Sequence, residues 1–387
     1  MTPLINTPPP LRSIPLRERV AAWSVVAPAL ALMLLGWVGI ARSEELAGGS
    51  GRYLARQTIW SAVALVALVV ASRTNYRRLI PWSYAIFALS LALLVAVYAF
   101  SPINGAQRWV RFGSLGFQPS EFAKPAFVLG LARYLMHRDS YRRLSGLAVP
   151  LALVFVPMLL VLKEPDLGTA LLFLPVLFVM LFAAGGRARH LGLLALAALL
   201  VSPIVWSQMS REQRSRITAL AEQTGPDEQP TDDGYHLHQA KQMFALGGVW
   251  GSWLSGDAVD DRSAYFVPEA RTDSIACVLG ERLGLWGLGL MLSLFVLLAW
   301  RGLTIAHETQ EPFGRLLAIG IATLFAVQAV INAGMMVGLL PITGLALPLV
   351  SYGGSSLVAS AACLGLLVNV GLRPGYEIGA EPFRYVG

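Results

Sequence analysis

Cysteine is nearly missing from this chain, and charge is scarce. The only two cysteines among 387 residues, Cys277 and Cys363, fall inside long apolar runs. That placement argues against a disulfide framework or a thiolate metal site and for two buried apolar thiols. Charged residues make up 14% of the chain and hydrophobic ones 55%, which rules out an ordinary soluble domain and fits repeated bilayer crossings. A cleavable signal is also lacking: the segment before the first apolar run has no short apolar core with a small-residue cleavage site, so that run is expected to stay as an anchor. No soluble domain, strong internal repeat or metal-ligand cluster can be drawn. The net charge of +7 lies in short arginine clusters that suit anionic membrane lipids, so nucleic acid is set aside as a partner.

Apolar runs of roughly 18 to 25 residues are the length that crosses about 30 Å of hydrocarbon. They fall at 21–41, 57–72, 79–100, 118–136, 146–163, 167–185, 190–206, 273–300, 315–340 and 352–372. The expected fold class is an all-α polytopic membrane protein of about ten transmembrane helices. Residues 1–20 form a Pro-rich disordered lead, 21–372 a single transmembrane domain and 373–387 a tail. Arginines gather in alternate connections (Arg12, Arg17 and Arg19; Arg73, Arg77 and Arg78; Arg138, Arg142 and Arg143; Arg187 and Arg189; Arg301 and Arg315), so the positive-inside rule places both termini in the cytoplasm. Loops 42–56, 101–117, 164–166, 207–272 and 341–351 then face outward, with Arg42, Arg52, Arg56, Arg108 and Arg111 running against the rule. The block 207–272, between helices 7 and 8, is longer than an idle connection. It is expected to hold a short helix over Met209–Ala221, a turn-rich middle from Thr224 to Gly234 and a second helix from His236 to Phe244, followed by Gly247, Gly248, Gly251 and Gly256.

An ionisable side chain at membrane depth costs roughly 2.5–3.5 kcal/mol on insertion scales, so each one is paired, wet or functional. Glu121 and Lys124 share one face of a helix that opens at Pro119. They read either as a pair that positions the helix or as the lining of a polar cavity with Lys124 open to a phosphate. Arg108 and Arg111 flank Trp109, as interfacial anchors or as a phosphate-binding patch. Asp166 suits a helix cap, and Glu281 and Arg282 suit buried partners of other polar groups. Asp273 stands where the polar block meets an apolar run, and at a helix start the dipole is expected to keep it ionised. It reads as a structural cap or as a general base. The stretch 332–356 interleaves Gly, Pro and hydroxyl residues at membrane depth; irregular backbone there marks the wall of a cavity, and small-residue helix packing accounts for some of its glycines.

Several separated motifs together resemble the shape, elongation, division and sporulation (SEDS) family, which includes RodA, FtsW and SpoVE. They are Arg108-Trp109 with Gln118-Pro-Ser-Glu and Lys124; Pro165-Asp-Leu-Gly-Thr; Gln213-Arg-Ser-Arg-Ile; Gly234-Tyr with Gln239-Ala; Pro268-Glu-Ala with Thr272-Asp; and Leu340-Pro-Ile-Thr-Gly with Pro348-Leu-Val-Ser-Tyr-Gly-Gly-Ser-Ser. The resemblance implies a ten-helix peptidoglycan glycosyltransferase that polymerises lipid II into glycan strands on the outer face of the cytoplasmic membrane, beside a class B penicillin-binding protein. It implies Asp273 as the essential acid and places the family's helix acid and lysine on Glu121 and Lys124 and its loop arginines on Arg214 and Arg216; Arg108, Arg271, Ser351 and Tyr352 are further candidates for substrate binding. The chain departs from the family pattern at Glu164, Arg271, Ser274 and Arg282, and Arg271 is expected to depress the pKa of Asp273.

The mechanism expected is an inverting transfer in which Asp273 takes a proton from the C4 hydroxyl of an incoming lipid II and undecaprenyl pyrophosphate leaves. Arg108, Lys124, Arg214 and Arg216 supply positive charge, and a divalent cation, Mg or Mn, could share that task. The rival readings are a lipid II flippase and a scaffold that recruits a partner enzyme. The Gly334-Met335 pair leans toward the elongation and rod-shape branch over the division branch.

Overall fold

A computed structural model describes residues 16–101, 107–112, 115–136, 143–221 and 232–375. Residues 1–15 of the expected disordered lead, most of the tail, residues 222–231 of the long block and the side chain of Arg111 lie outside the described residues; residues 16–20, expected as disordered lead, and 232–234, expected as turn, are instead the first turns of helices, because each runs directly into a helical segment. The helices are α1 (Leu16–Trp23), α2 (Val26–Leu46), α3 (Arg52–Arg73), α4 (Leu79–Ala96), α5 (Pro119–Leu135), α6 (Ala148–Lys163), α7 (Leu167–Ala183), α8 (Ala188–Gln208), α9 (Arg211–Ala221), α10 (Asp232–Gly247), α11 (Ser252–Ser255), α12 (Ile275–Glu308), α13 (Pro312–Met336) and α14 (Gly354–Gly371). Between α4 and α5 a small antiparallel hairpin pairs β1 (Val110–Phe112) with β2 (Leu115–Phe117), Val110 opposite Phe117.

Among the described residues eight helical segments are long and apolar enough to cross a bilayer, and α7 is a shorter apolar helix. The expected crossing at 118–136 is α5, a helix buried along most of its length that carries Glu121 and Lys124 inward. Proline lies inside α5, α6, α7 and α8, as membrane helices allow when neighbouring groups satisfy the freed carbonyl. The bundle packs α14 along α3, α12 between α2 and α13, and α13 against α7 and α5. By contrast α8 buries only His190, so most of its apolar surface is left for lipid.

Three boundaries differ from the sequence reading. The first crossing continues through Arg42 to Leu46. Arg42 is therefore a buried helix residue, its guanidinium bonded to Glu281 of α12 at 2.7 and 3.0 Å and to Asp257 at 2.5 Å. Arg52 and Arg56 likewise belong to a helix, because α3 starts at Arg52. The crossing that follows the polar block runs to Glu308 but is broken at Gly284, whose φ of 65° and ψ of −161° are not helical. The break has a partner: a Cβ on Gly284 would lie 2.3 Å from the carbonyl oxygen of Val249, and the Leu285 amide donates to the Gly248 carbonyl at 3.1 Å. The glycine run after α10 is thus a backbone dock for the kink.

Candidate active site

The turn Glu269–Ser274 leads into α12 and carries Asp273. Three successive carbonyls of this turn are each held by a different donor. Tyr352 N–H donates to Arg271 O at 2.8 Å, Ser351 Oγ to Thr272 O at 2.6 Å and Asn332 Nδ2 to Asp273 O at 2.8 Å. Asn332 also donates to Leu345 O at 2.7 Å, and Ser351 Oγ accepts from Leu347 N–H at 2.8 Å. The irregular stretch 337–353 is therefore the frame that fixes the aspartate. Ser351, read from sequence as a substrate contact, has its hydroxyl committed on both sides to backbone; it and the amide of Tyr352 orient the turn.

Asp273 is half-buried. Beside it Gly344 takes φ +68°, and a Cβ there would sit 3.3 Å from Asp273 Oδ2 and 3.9 Å from Arg216 Nη1. Only a residue without a side chain leaves that space between acid and arginine open. Burial pushes the Asp273 carboxyl up to about 7, the charges of Glu269 and Asp166 add to the rise, and Arg108 and Arg216 oppose it. This corrects two expectations. The acid is not held ionised by the helix dipole, because it precedes the cap residue Ser274 and α12 has no side-chain cap bond. Nor does Arg271 depress it: that guanidinium lies over the Tyr53 ring, 4.0 Å from its centroid, and Tyr53 packs edge-on to Tyr352 at 5.3 Å.

The other candidates divide. Arg216 on α9 and Arg108 reach the aspartate's field. Arg108 donates from Nε to the Glu164 carbonyl at 2.9 Å and from Nη2 to the Pro165 carbonyl, which fixes its charge beside the α6–α7 turn. Arg214 is turned away, donating to the carbonyls of Trp206 and Ser207 at 3.1 and 2.8 Å and so finishing α8. Glu121 and Lys124 form a buried pair at 2.8 Å, and Lys124 also donates to Gln328 of α13 at 3.0 Å. Of the two readings of that pair, the geometry favours helix positioning: the lysine is spent inside the protein.

Sequence reasoning undervalued the α6–α7 turn. Asp166 caps α7 as expected, accepting from Thr169 N–H at 3.1 Å, yet its charge also acts on Asp273. Next to it Glu164 is 0% exposed, and neither of its carboxylate oxygens has a hydrogen-bond partner. Burial, with Asp166 adding and Arg108 opposing, pushes its carboxyl up to about 8. Asn332, Gly344 and Glu269 were also missed as site residues; the signal was the crowding of Gly, Pro and Asn at membrane depth. Among the described residues no group of three or more His, Cys, Asp or Glu side chains could hold a metal ion.

Such a molecule is a multi-pass membrane protein whose acid and arginine chemistry is gathered at one end of the helix bundle. The model of a family described as cell cycle protein, covering FtsW, RodA and SpoVE, matches residues 20–373, and the chain belongs to that family. It is 39% identical over 313 residues to the peptidoglycan glycosyltransferase MrdB of Escherichia coli strain K12, covering 80% of this chain and 83% of that one. It is 37% identical over 329 residues to a probable peptidoglycan glycosyltransferase FtsW of Geobacter metallireducens, covering 83% and 85%. Among solved structures it resembles a chain of a peptidoglycan synthase complex described as coordinating polymerization and crosslinking, with a TM-score of 0.76, 33% identity and 90% and 97% coverage. It also resembles the rod shape determining protein RodA of Thermus thermophilus, with a TM-score of 0.67, 29% identity and 92% and 98% coverage.

Proposed function

We propose that this protein is a peptidoglycan glycosyltransferase that polymerises lipid II on the outer face of the cytoplasmic membrane, with Asp273 as general base. The observation that carries the reading is the carboxylate raised to about 7 beside Arg216 and Arg108, on a turn fixed by three separate hydrogen bonds. A base titrating near the working pH is matched to abstracting a proton from an alcohol. The acceptor sugar's C4 oxygen attacks the anomeric carbon of the strand's lipid-linked end as its proton passes to Asp273. The bond from that carbon to the phosphate oxygen breaks, and undecaprenyl pyrophosphate leaves with the electron pair. Arg216 and Arg108 stabilise the negative charge that develops on the departing phosphates. Both termini are then cytoplasmic, and the Asp273 end of the bundle faces out.

The likeness to a chain of a complex that couples polymerization to crosslinking supports a class B penicillin-binding protein as partner. Likeness to the rod shape determining protein RodA supports a role in rod shape. The test is polymerisation of lipid II by the purified chain. Asp273→Asn is expected to fold and insert normally while activity falls at least a hundredfold; near-normal glycan synthesis by the variant would refute the assignment.

A further inference from the structure

A second basic site lies on the other side of the Asp273 turn. A cavity of about 290 Å³ opens between the end of α2 and the segment 262–271, with Arg262 and Arg271 in its wall and Leu46, Phe266 and Val278 beside them. Its volume stands near the lower end of the range for ligand pockets, about 300–1,000 Å³. Arg271 is held rigid over the Tyr53 ring, its Nε is buried without a hydrogen-bond partner, and Arg262 forms no ion pair among the described residues. The one carboxylate in the wall, Glu269, is engaged by the Thr272 hydroxyl at 3.0 Å. Guanidinium forks suit phosphate oxygens, and the apolar wall suits the first units of a prenyl chain. Mixed linings of this kind fit a prenyl diphosphate better than a free sugar or a free phosphate.

The proposed reaction, on which this step rests, joins two molecules that each carry a lipid diphosphate. The donor's diphosphate must lie at the reacting carbon, beside Asp273, where Arg216 and Arg108 are. The acceptor reacts through its far sugar, so its diphosphate must lie a disaccharide away from the base. The cavity is placed for that separation: its wall includes Glu269 and Arg271 of the same turn, yet Asp273 itself is not part of it. We propose that Arg262 and Arg271 hold the diphosphate of the acceptor lipid in this cavity, separate from the cations that serve the leaving group.

The test uses the full chain in nanodiscs with a benzophenone-bearing prenyl diphosphate, and the crosslinks are mapped by mass spectrometry. Label is expected on 43–47 and 266–278. It should fall at least tenfold in Arg262→Ala/Arg271→Ala, and equally in Ala47→Trp, which fills the cavity without changing charge. Arg216→Ala should leave this label unchanged, and excess farnesol should not compete with it. Label of wild-type strength at these segments in the double variant, or full competition by farnesol, overturns the proposal. Lipid II polymerisation by the wild-type chain is measured on the same preparation. Glycan synthesis with unaltered labelling in the variants sinks the acceptor subsite alone; the expected labelling pattern without glycan synthesis upholds the lipid-diphosphate site and sinks the glycosyltransferase reading alone.

Discussion

At the scale of single residues, the chemistry is set by what surrounds one carboxyl. In the proposed reaction Asp273 accepts the proton only when ionised, and its value of about 7 places the change of state inside the working range. Polymerisation kcat/KM should therefore rise about tenfold per pH unit below 7 and level off above it. Glu269 adds negative charge that raises Asp273, so Glu269→Gln should move the midpoint to lower pH; a pH–rate series on both proteins checks the sign, and an upward shift contradicts it. The position of this acid at the junction of polar block and apolar run was legible in the sequence, but its state was not. The groups that tune it, Asp166, Arg108 and Arg216, come from other elements, and only the folded chain brings their charges to the turn. Helix-start reasoning failed because Asp273 lies one residue before the cap of α12 and desolvation outweighs the dipole.

At the scale of elements, hydropathy located the crossings because each must present a long apolar surface, and the two helices of the polar block appeared where their sequence suggested. Hydropathy could not see the break in α12, since glycine in an apolar run leaves the average unchanged. Gly284 adopts a backbone that other residues reach only at a cost of about 1–3 kcal/mol, and a side chain there would also strike the Val249 carbonyl. Gly284→Ala should lower the thermal midpoint in detergent by several degrees, whereas Gly289→Ala, whose Cβ would meet nothing within 4 Å, should leave it within a degree or two. Equal midpoints for the two variants would mean that the dock does not matter.

At the scale of the whole molecule, the buried pair Arg42–Glu281 ties α2 to α12 across 239 positions of sequence, and Asp257 links the polar block to the same guanidinium. Charge placed against the positive-inside rule was the visible trace of this contact; its partner was not legible, because no local pattern encodes a bond over that distance. Removing one member of such a pair leaves a buried charge uncompensated, at about 3–5 kcal/mol, while replacing both by apolar residues costs far less. Glu281→Leu alone should therefore yield little folded protein, and Arg42→Met/Glu281→Leu should recover much of it; detergent-solubilised yield and thermal midpoint measure both, and a double variant no better than the single would count against the pair.

Asn332 grips the Asp273 carbonyl and the Leu345 carbonyl with one amide nitrogen, so a single side chain splices α13 to the Asp273 turn and to the stretch around Leu345. The aspartate's turn is thereby riveted and cannot yield without dragging three stretches of backbone along. Whatever give the bundle has is thus left to elements such as α8, which leans on its neighbours so slightly that lipid is its main company.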